Sequence, residues 1–455
     1  MALNLICEAE RPGARVDDQL RAFERRAELE SRDRAFVREL VYGTLRWRGH
    51  LDQALSRHLS GRADDLPPAL RNILRLGAYQ ILFTDRVPVW AAVDEAVRQA
   101  RRRGFDGLAG LVNGVLRTLA REPGFRAPGL RDAPVEDAQT LAGAESHPVW
   151  MVRRWVDRWG LEAAARVCRA NNEPGPLTVR VNLRRCGPEI LREALQGAGV
   201  EVTPGALCPE VLRLRGGPPV LELPGFREGW FVVQDEAAAL MAHLMGVRPG
   251  EWVWDACAGP GGKSVHMAEL MGDEGLVLAT DTHAHRLSRV LENARRLGLR
   301  SVRPIHADAT AGAVREEGFD AVLVDAPCSG LGVLRRHPEA KWNKTEEDIF
   351  RLRELELKLL REASRALRAG GRLLYCVCSN EDEETRQIVQ SFEVSAEGAR
   401  FQREDLSLDL PRRLSSAGRL VDPGGCFSVR PGDAGTDGFF AARWRRPARE
   451  GRRSE

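Results

Sequence analysis

The spacing of apolar residues changes twice along the chain. From about Asp17 to Leu119 it is helical. Phe36, Val37, Leu40, Val41 and Leu45 share one face, and Ile73, Leu74, Leu76, Ile81 and Leu82 share another in a segment opened by Pro67-Pro68. Pro88 introduces a further helix through Ala100, and Leu108 to Leu119 closes an all-α set. Glu122 to Ala144, rich in Pro, Gly, Ala and Asp, reads as a linker.

A helical stretch from Pro148 to Ala170 follows, where Trp150, Trp155 and Trp159 read as core anchors. Leu177 to Asn182, Val211 to Leu214 and Val220 to Leu223 read as strands around a helix at Glu189 to Gly197, a small α+β unit. From Trp230 onward the period alternates. Glu251–Asp255, Gly275–Asp281, Val302–Asp308, Phe319–Asp325 and Arg372–Cys378 are short apolar runs, with helices most evident at Ala284–Leu297 and Glu346–Ala369. Such alternation predicts βαβ units, a mostly parallel sheet and a ligand at the carboxyl ends of its strands. The expected architecture is multidomain: an all-α domain over 1–140, an α+β subdomain with leading helices over 141–228, and an α/β domain over 229–447.

Composition narrows the class. The chain is 43% hydrophobic and 29% charged, with no apolar run long enough to cross a bilayer, which is the profile of a soluble globular protein. Met1 to Arg11 lacks the basic-then-apolar pattern of a secretory signal, so the cytoplasm is the expected address. A net charge of +3 decides little, but Arg21–Arg48 and Arg98–Arg103 are basic-rich and face either phosphate or solvent. Nine scattered cysteines, an odd number without paired C-x-x-C units, point to free thiols and to no metal site.

The densest chemistry begins at Asp255-Ala-Cys-Ala-Gly-Pro-Gly-Gly-Lys-Ser264, between the first strand and a helix. Its glycines allow close backbone approach to a ligand at a helix N-terminus. A nucleotide P-loop needs glycine where Cys257 stands, and a dinucleotide fingerprint needs one where Ser264 stands. S-adenosylmethionine, which carries no phosphate, remains. Asp281 ends the second strand, where a carboxylate accepts ribose hydroxyls; Asp308 ends the third, within reach of an adenine amino group; Asp325 ends the fourth, toward donor and substrate. One such aspartate is commonly a helix cap, but three at successive strand ends are not explained by capping alone.

Asp325-Ala-Pro-Cys-Ser-Gly-Leu-Gly332 and Tyr375-Cys-Val-Cys-Ser379 then bring thiols to the edge of the same crevice. Paired thiols beside a methyl donor suit carbon 5 of a pyrimidine, which is too poor a nucleophile to take a methyl group unaided. Thiolate addition at carbon 6 makes carbon 5 enamine-like, and loss of the carbon 5 proton and the thiol restores the ring. Enclosing the base requires flipping it or a single-stranded loop.

These segments resemble the signature motifs of the Sun-type RNA cytosine-5 methyltransferases. Asp33 to Arg46, Arg75 to Gln80 and Leu111 to Arg117 are similar to the NusB-like RNA-binding domain of the bacterial Sun (Fmu) branch, and the similarity runs on to Asp437-Gly-Phe-Phe-Ala441. The resemblance implies a Rossmann-like methyltransferase domain that binds S-adenosyl-L-methionine through Cys257, Ala258, Gly259, Pro260, Gly261, Gly262, Lys263, Asp281, Asp308 and Asp325. It implies Cys378 as nucleophile, Cys328 as the residue that helps release product, and Asp325 as a catalytic partner. Its substrate would be 16S ribosomal RNA, unassembled or partly assembled, at the cytosine-967-type site. The enzyme would act as a monomer away from membranes, and Arg335-Arg-His-Pro338 resembles a segment beside the RNA path. Val377 replaces the family's threonine and Ala307 its glycine, while Cys376 is an extra thiol on the same strand face as Cys378. The rival classes are a non-catalytic RNA-binding or antitermination factor, which needs no donor crevice, and a protein or small-molecule methyltransferase, which needs no paired thiols.

Overall fold

In the computed structural model, which describes residues 1–11, 13–26, 29–122, 135–408, 410 and 414–448, the chain forms two compact units. The first comprises residues 1–174 together with 334–346, and the second comprises residues 175–333 and 347–455.

The first unit is helical. Helices Ala2–Ala9, Ser31–Arg46, Pro68–Phe83, Val89–Arg102 and Ala109–Arg121 enclose a core of Leu40, Val41, Leu45, Ile73, Leu74, Val112 and Leu116. Pro68 sits in the first turn of its helix, where a missing N–H costs nothing, and Pro88 precedes Val89–Arg102 in extended geometry. All five apolar positions expected in the Pro68–Phe83 helix are buried. Phe36 departs from its expected face and is 42% exposed, because Leu40, Val41 and Leu45 already fill the stripe toward the core. The expected linker contains a helix at Ala138–Ala144, closed by a reciprocal Asp137–Thr140 cap; residues 123–134 lie outside the described part. Helices Val149–Trp159 and Leu161–Asn172 belong to this unit, with Trp155 buried and stacked on Trp159.

Residues 334–346 are bound into the first unit through helix ends. Lys341 Nζ donates to the carbonyls of Arg46 and Ser146 and to Asn172 Oδ1, and Trp342 Nε1 donates to the Leu45 carbonyl. A helix C-terminus offers unpaired carbonyls and negative dipole to a cation, which satisfies an ammonium that burial pushes well below its ordinary pKa.

The second unit holds two sheets. Strands β1 (Leu177–Val181), β2 (Glu201–Pro204), β3 (Val211–Arg215) and β4 (Phe231–Val233) pair antiparallel in the order β2-β3-β1-β4. Leu191 and Leu195 of helix Pro188–Gly197 pack on Val179, Leu212 and Phe231. The strand expected at Val220–Leu223 is a short 3-10 turn after Pro219, a residue with no N–H for a ladder, and β4 completes the sheet instead.

The larger sheet contains β5 (Trp252–Asp255), β6 (Leu276–Asp281), β7 (Val302–His306), β8 (Phe319–Asp325), β9 (Leu367–Val377), β10 (Gln402–Glu404), β11 (Phe427–Val429) and β12 (Phe439–Arg445). Its order is β10-β12-β9-β8-β5-β6-β7, with β5 to β9 parallel and β12 antiparallel to β9. Ala321–Val324 of β8 and Leu373–Val377 of β9 are fully buried runs, because a hydrophobic core covers each face of the sheet there. Chain order runs β5, β6, β7 in one direction and then returns to β8 on the other side of β5. That reversal opens a crevice at the carboxyl ends of β5 and β8, where Asp255 and Asp325 stand. Cys376 and Leu374 face one core, while Leu373, Tyr375 and Val377 face the other, as the two-residue period of a strand requires.

Helix Glu236–Met245 and helix Gly262–Leu270 meet the small sheet through buried polar groups. His243 Nε2 pairs with Glu210, and His266 Nε2 lies 3.7 Å from the same carboxylate. The ligating atoms of Glu210, His243 and His266 fall within 4.8 Å of one another, a cluster the sequence reading does not anticipate. Arg180 pairs with Glu269 beside it.

Candidate active site

The loop after β5 is pressed against the end of β6. Gly259 N–H donates to Asp281 Oδ2 at 3.1 Å, and a Cβ on Gly259 would lie 2.6 Å from that oxygen. Gly261 takes φ +99° as it turns the chain into helix Gly262–Leu270, and a Cβ there would meet the Val290 backbone at 3.0 Å. The bond between Gly259 and Pro260 is cis. These close approaches explain why small residues fill the loop.

Charges are paired around its base. Ser264 Oγ donates to Asp255 Oδ2 at 2.6 Å, and Lys263 Nζ donates to Asp325 Oδ2 at 2.7 Å. Burial raises the Asp255 carboxyl to about 7, with Ser264 opposing and Asp325 adding to the rise. Burial also opposes the Lys263 ammonium, yet the adjacent Asp325 outweighs it and holds the pKa above the ordinary lysine value. Asp281 Oδ1 accepts the His283 N–H at 2.8 Å. Asp308 is exposed and caps a short turn, accepting both the N–H and the hydroxyl of Thr310 at 2.8 Å, which hold its carboxyl below the usual range. Four aspartates nevertheless converge. After burial, the causes that push the Cys257 thiol well up are Asp255, Asp325, Asp281 and Asp308. Such a carboxylate-rich loop, with Lys263 bonded to Asp325 and Arg286 4.0 Å from Asp281 as its neighbouring cations, suits a cationic sulfonium better than a phosphate.

The thiols gather at the next two strand ends. Cys328 Sγ and Cys378 Sγ lie 3.5 Å apart, both half-buried. Cys376 pairs in register with Asp325, and its Sγ donates to Asp325 Oδ1 at 3.4 Å. It is wholly buried, and burial together with Asp325 pushes its thiol well above the ordinary value. Cys376 and Cys378 therefore differ in access, although they share a strand face. The structure thus brings together Lys263, Asp325, Cys328 and Cys378. Arg335 is buried in the first unit, where its carbonyl accepts Arg46 Nη2 at 2.9 Å.

Behind the thiols lies a buried polar network absent from the sequence reading. Glu384 accepts the Ser329 N–H at 2.6 Å and the Ser329 hydroxyl at 2.5 Å, and Ser329 Oγ lies 3.3 Å from Ser379 Oγ. Tyr375 OH donates to the Glu384 carbonyl at 2.7 Å and lies 3.1 Å from Glu356 Oε2. Its only sequence signal was the acidic run Glu381 to Glu384 after Ser379.

A βαβ sheet with a glycine loop, a carboxylate at each neighbouring strand end and a thiol pair defines a Rossmann-like, S-adenosylmethionine-dependent methyltransferase. Residues 242–445 match the model of the 16S rRNA methyltransferase RsmB/F, residues 1–121 match the NusB family, and residues 147–221 match the ferredoxin-like domain of RsmF/B-like methyltransferases. The chain belongs to the RsmB/F methyltransferase family, which bears out the resemblance to its Sun (Fmu) branch. The probable ribosomal RNA small subunit methyltransferase B of Bacillus subtilis is 37% identical over 98% of each chain. The ribosomal RNA small subunit methyltransferase B of Citrobacter koseri is 33% identical over 91% of each. Among solved structures, PH0851 superposes with a TM-score of 0.79 at 27% identity, over 97% of this chain and 98% of its own. NSun6 from Pyrococcus horikoshii with SFG shares the fold, at a TM-score of 0.58 and 21% identity over 66% of this chain and 99% of its own.

Proposed function

We propose that this enzyme methylates carbon 5 of a cytosine in 16S ribosomal RNA through a covalent cysteine adduct at carbon 6, at the cytosine-967-type site. The observation that carries the chemistry is the 3.5 Å thiol pair at the strand ends beside Asp325 and Lys263. A methyltransferase acting on nitrogen or oxygen has no use for two facing sulfurs. A pyrimidine carbon 5 needs one sulfur to activate the ring and benefits from a second when the first departs.

In this reading Cys257 to Lys263, Asp281, Asp308 and Asp325 hold S-adenosylmethionine, whose sulfonium supplies an electrophilic methyl group. The half-buried Cys378, rather than the enclosed Cys376, adds to carbon 6. Asp325, oriented by Lys263, faces the ring edge and stabilises the adduct. Cys328 assists departure of the Cys378 sulfur after the carbon 5 proton is lost. The helical unit supplies RNA contacts, which the match of residues 1–121 to the NusB family supports. The name of the Bacillus subtilis relative, a probable ribosomal RNA small subunit methyltransferase, and the 16S rRNA description of the matching family model support 16S RNA as substrate.

The test is bisulfite mapping of ribosomal RNA from a deletion strain, with and without the gene restored. Loss and recovery of protection at one 16S cytosine is expected. Unchanged protection throughout 16S RNA would move the substrate elsewhere.

A further inference from the structure

Cys328 and Cys378 come from separate loops, so something must hold their sulfurs in register. No direct backbone pairing joins residue 328 to residue 378, although Gly332 N–H donates to the Cys378 carbonyl at 3.0 Å a few residues on. The residue beside each thiol is a fully or almost fully buried serine, Ser329 after Cys328 and Ser379 after Cys378. Both serines point at one carboxylate. Glu384, itself fully buried, accepts two hydrogen bonds from Ser329, and the two serine hydroxyls approach within 3.3 Å beneath it.

We propose that Glu384 is a positioning residue of the methyl-transfer site, tying the Cys328 loop to the end of β9 so that the Cys328 thiol faces the Cys378 sulfur. The inference rests on the covalent reading above and assigns to the acidic run after Ser379 a task in that reaction. Tyr375 completes the anchor: its hydroxyl bonds the Glu384 carbonyl and Glu356 Oε2, fixing Glu384 from strand β9 itself. Two carboxyls so enclosed do not both carry charge at neutral pH. Burial and then Glu384 push Glu356 up to about 10, so the pair retains a proton and does not place two negative charges behind the thiols. The hydrogen bond to Cys378, followed by burial, pushes the Cys328 thiol well up, which keeps it a donor toward the Cys378 sulfur. Glu384 thus acts on Cys328 and not on donor binding, since its partners lie at the ends of β8 and β9 and on the Glu346–Arg365 helix and none is a residue of the glycine loop.

The experiment compares Glu384→Ala, Glu384→Gln, Ser329→Ala and Cys328→Ala in the full chain, with target RNA and methyl-labelled S-adenosylmethionine. Glu384→Ala should bind the donor within about twofold of wild type by calorimetry, turn over at least tenfold more slowly, and accumulate methyl-labelled adduct on denaturing gels. Ser329→Ala, a milder cut in the same link, should accumulate adduct to a lesser degree. Glu384→Gln keeps an acceptor for the Ser329 N–H and an amide partner for its hydroxyl, so it should restore turnover and remove the adduct. A loss of folding alone lowers donor binding and activity together and gives no labelled adduct, and Ser329→Ala with Glu384→Gln then carry the test. Wild-type turnover without adduct in Ser329→Ala and Glu384→Ala overturns the positioning role. So does loss of adduct formation with intact donor binding, which would tie Glu384 to the nucleophile instead. Absence of adduct in Cys328→Ala would count against the covalent reading itself; adduct there with none in the Glu384 and Ser329 variants overturns only this inference.

Discussion

The sulfurs of Cys328 and Cys378 lie 3.5 Å apart although the two residues are fifty positions apart in the chain. Parallel pairing of β8 with β9 is what delivers them to one place, because it aligns the ends of both strands. The covalent reading then predicts distinct failures. Cys378→Ala should abolish methyl transfer and yield no covalent RNA species. Cys328→Ala should still attack and methylate, leaving a labelled species that survives denaturing electrophoresis. Cys376→Ala should change turnover little, since its sulfur sits one strand repeat, roughly 6.5–7 Å, further from the base. Full activity in all three variants would remove the covalent mechanism.

Asp281 holds the glycine loop and, in the proposed function, the donor ribose. Asp281→Asn keeps one acceptor for the Gly259 N–H but loses the charge, so donor affinity should fall by about 1.5–3 kcal/mol, roughly ten- to hundredfold. Calorimetry at constant ionic strength measures it. An unchanged dissociation constant would reassign the end of β6.

Asp255 predicts a pH dependence of stability. Its buried carboxyl titrates near about 7 in the folded chain against 3.8 in the unfolded one, so between those values the folded state binds the extra proton. Stability therefore falls as pH rises through that window, by roughly 4 kcal/mol at the upper limit, and levels off above it. Asp255→Asn retains an acceptor for Ser264 and carries no such penalty. Its advantage over wild type in chemical denaturation should be small at pH 4 and largest at pH 8. An advantage that shrinks with rising pH would show the carboxylate to be stabilised where it lies.

The basic stretches of the helical unit divide into paired and free-facing cations. Arg38 pairs with Glu24, Arg48 with Glu10, and Arg98 with Asp94 and Glu95, whereas the side chains of Arg101 and Arg102 are exposed at the end of their helix. Replacing Arg101 and Arg102 by serine should weaken RNA binding and flatten the slope of log affinity against log salt by roughly 0.7–0.9 per arginine. Donor affinity should be untouched. An unaltered slope would leave this end of the helix as ordinary solvated surface. Point variants are preferable to deleting residues 1–140, which would also strip Arg46 from Lys341 and Leu45 from Trp342.

How much was legible in the sequence varies with the range of the interactions involved. The helical period between Pro68 and Phe83, the alternation after Trp230 and the strand ends at Asp255, Asp281 and Asp325 were readable because each is set by neighbouring residues. The glycine loop was readable because its backbone conformation admits few other residues. Phe36 and Val220–Leu223 misled because exposure and strand pairing depend on what lies opposite, which no local pattern records.

By itself, then, the sequence determined the order of elements, the residues at the strand ends and the presence of thiols close to two of them. Tertiary structure alone decided which atoms meet. The pairing of Lys263 with Asp325, the burial of Cys376 behind a half-buried Cys378 and the hold of Glu384 on Ser329 all join residues from different strands or helices. Hydrogen bonds and charge pairs act over a few ångströms, while the residues that form them lie tens of positions apart. Only the sheet register and the packing of helices on its faces bring them within that range.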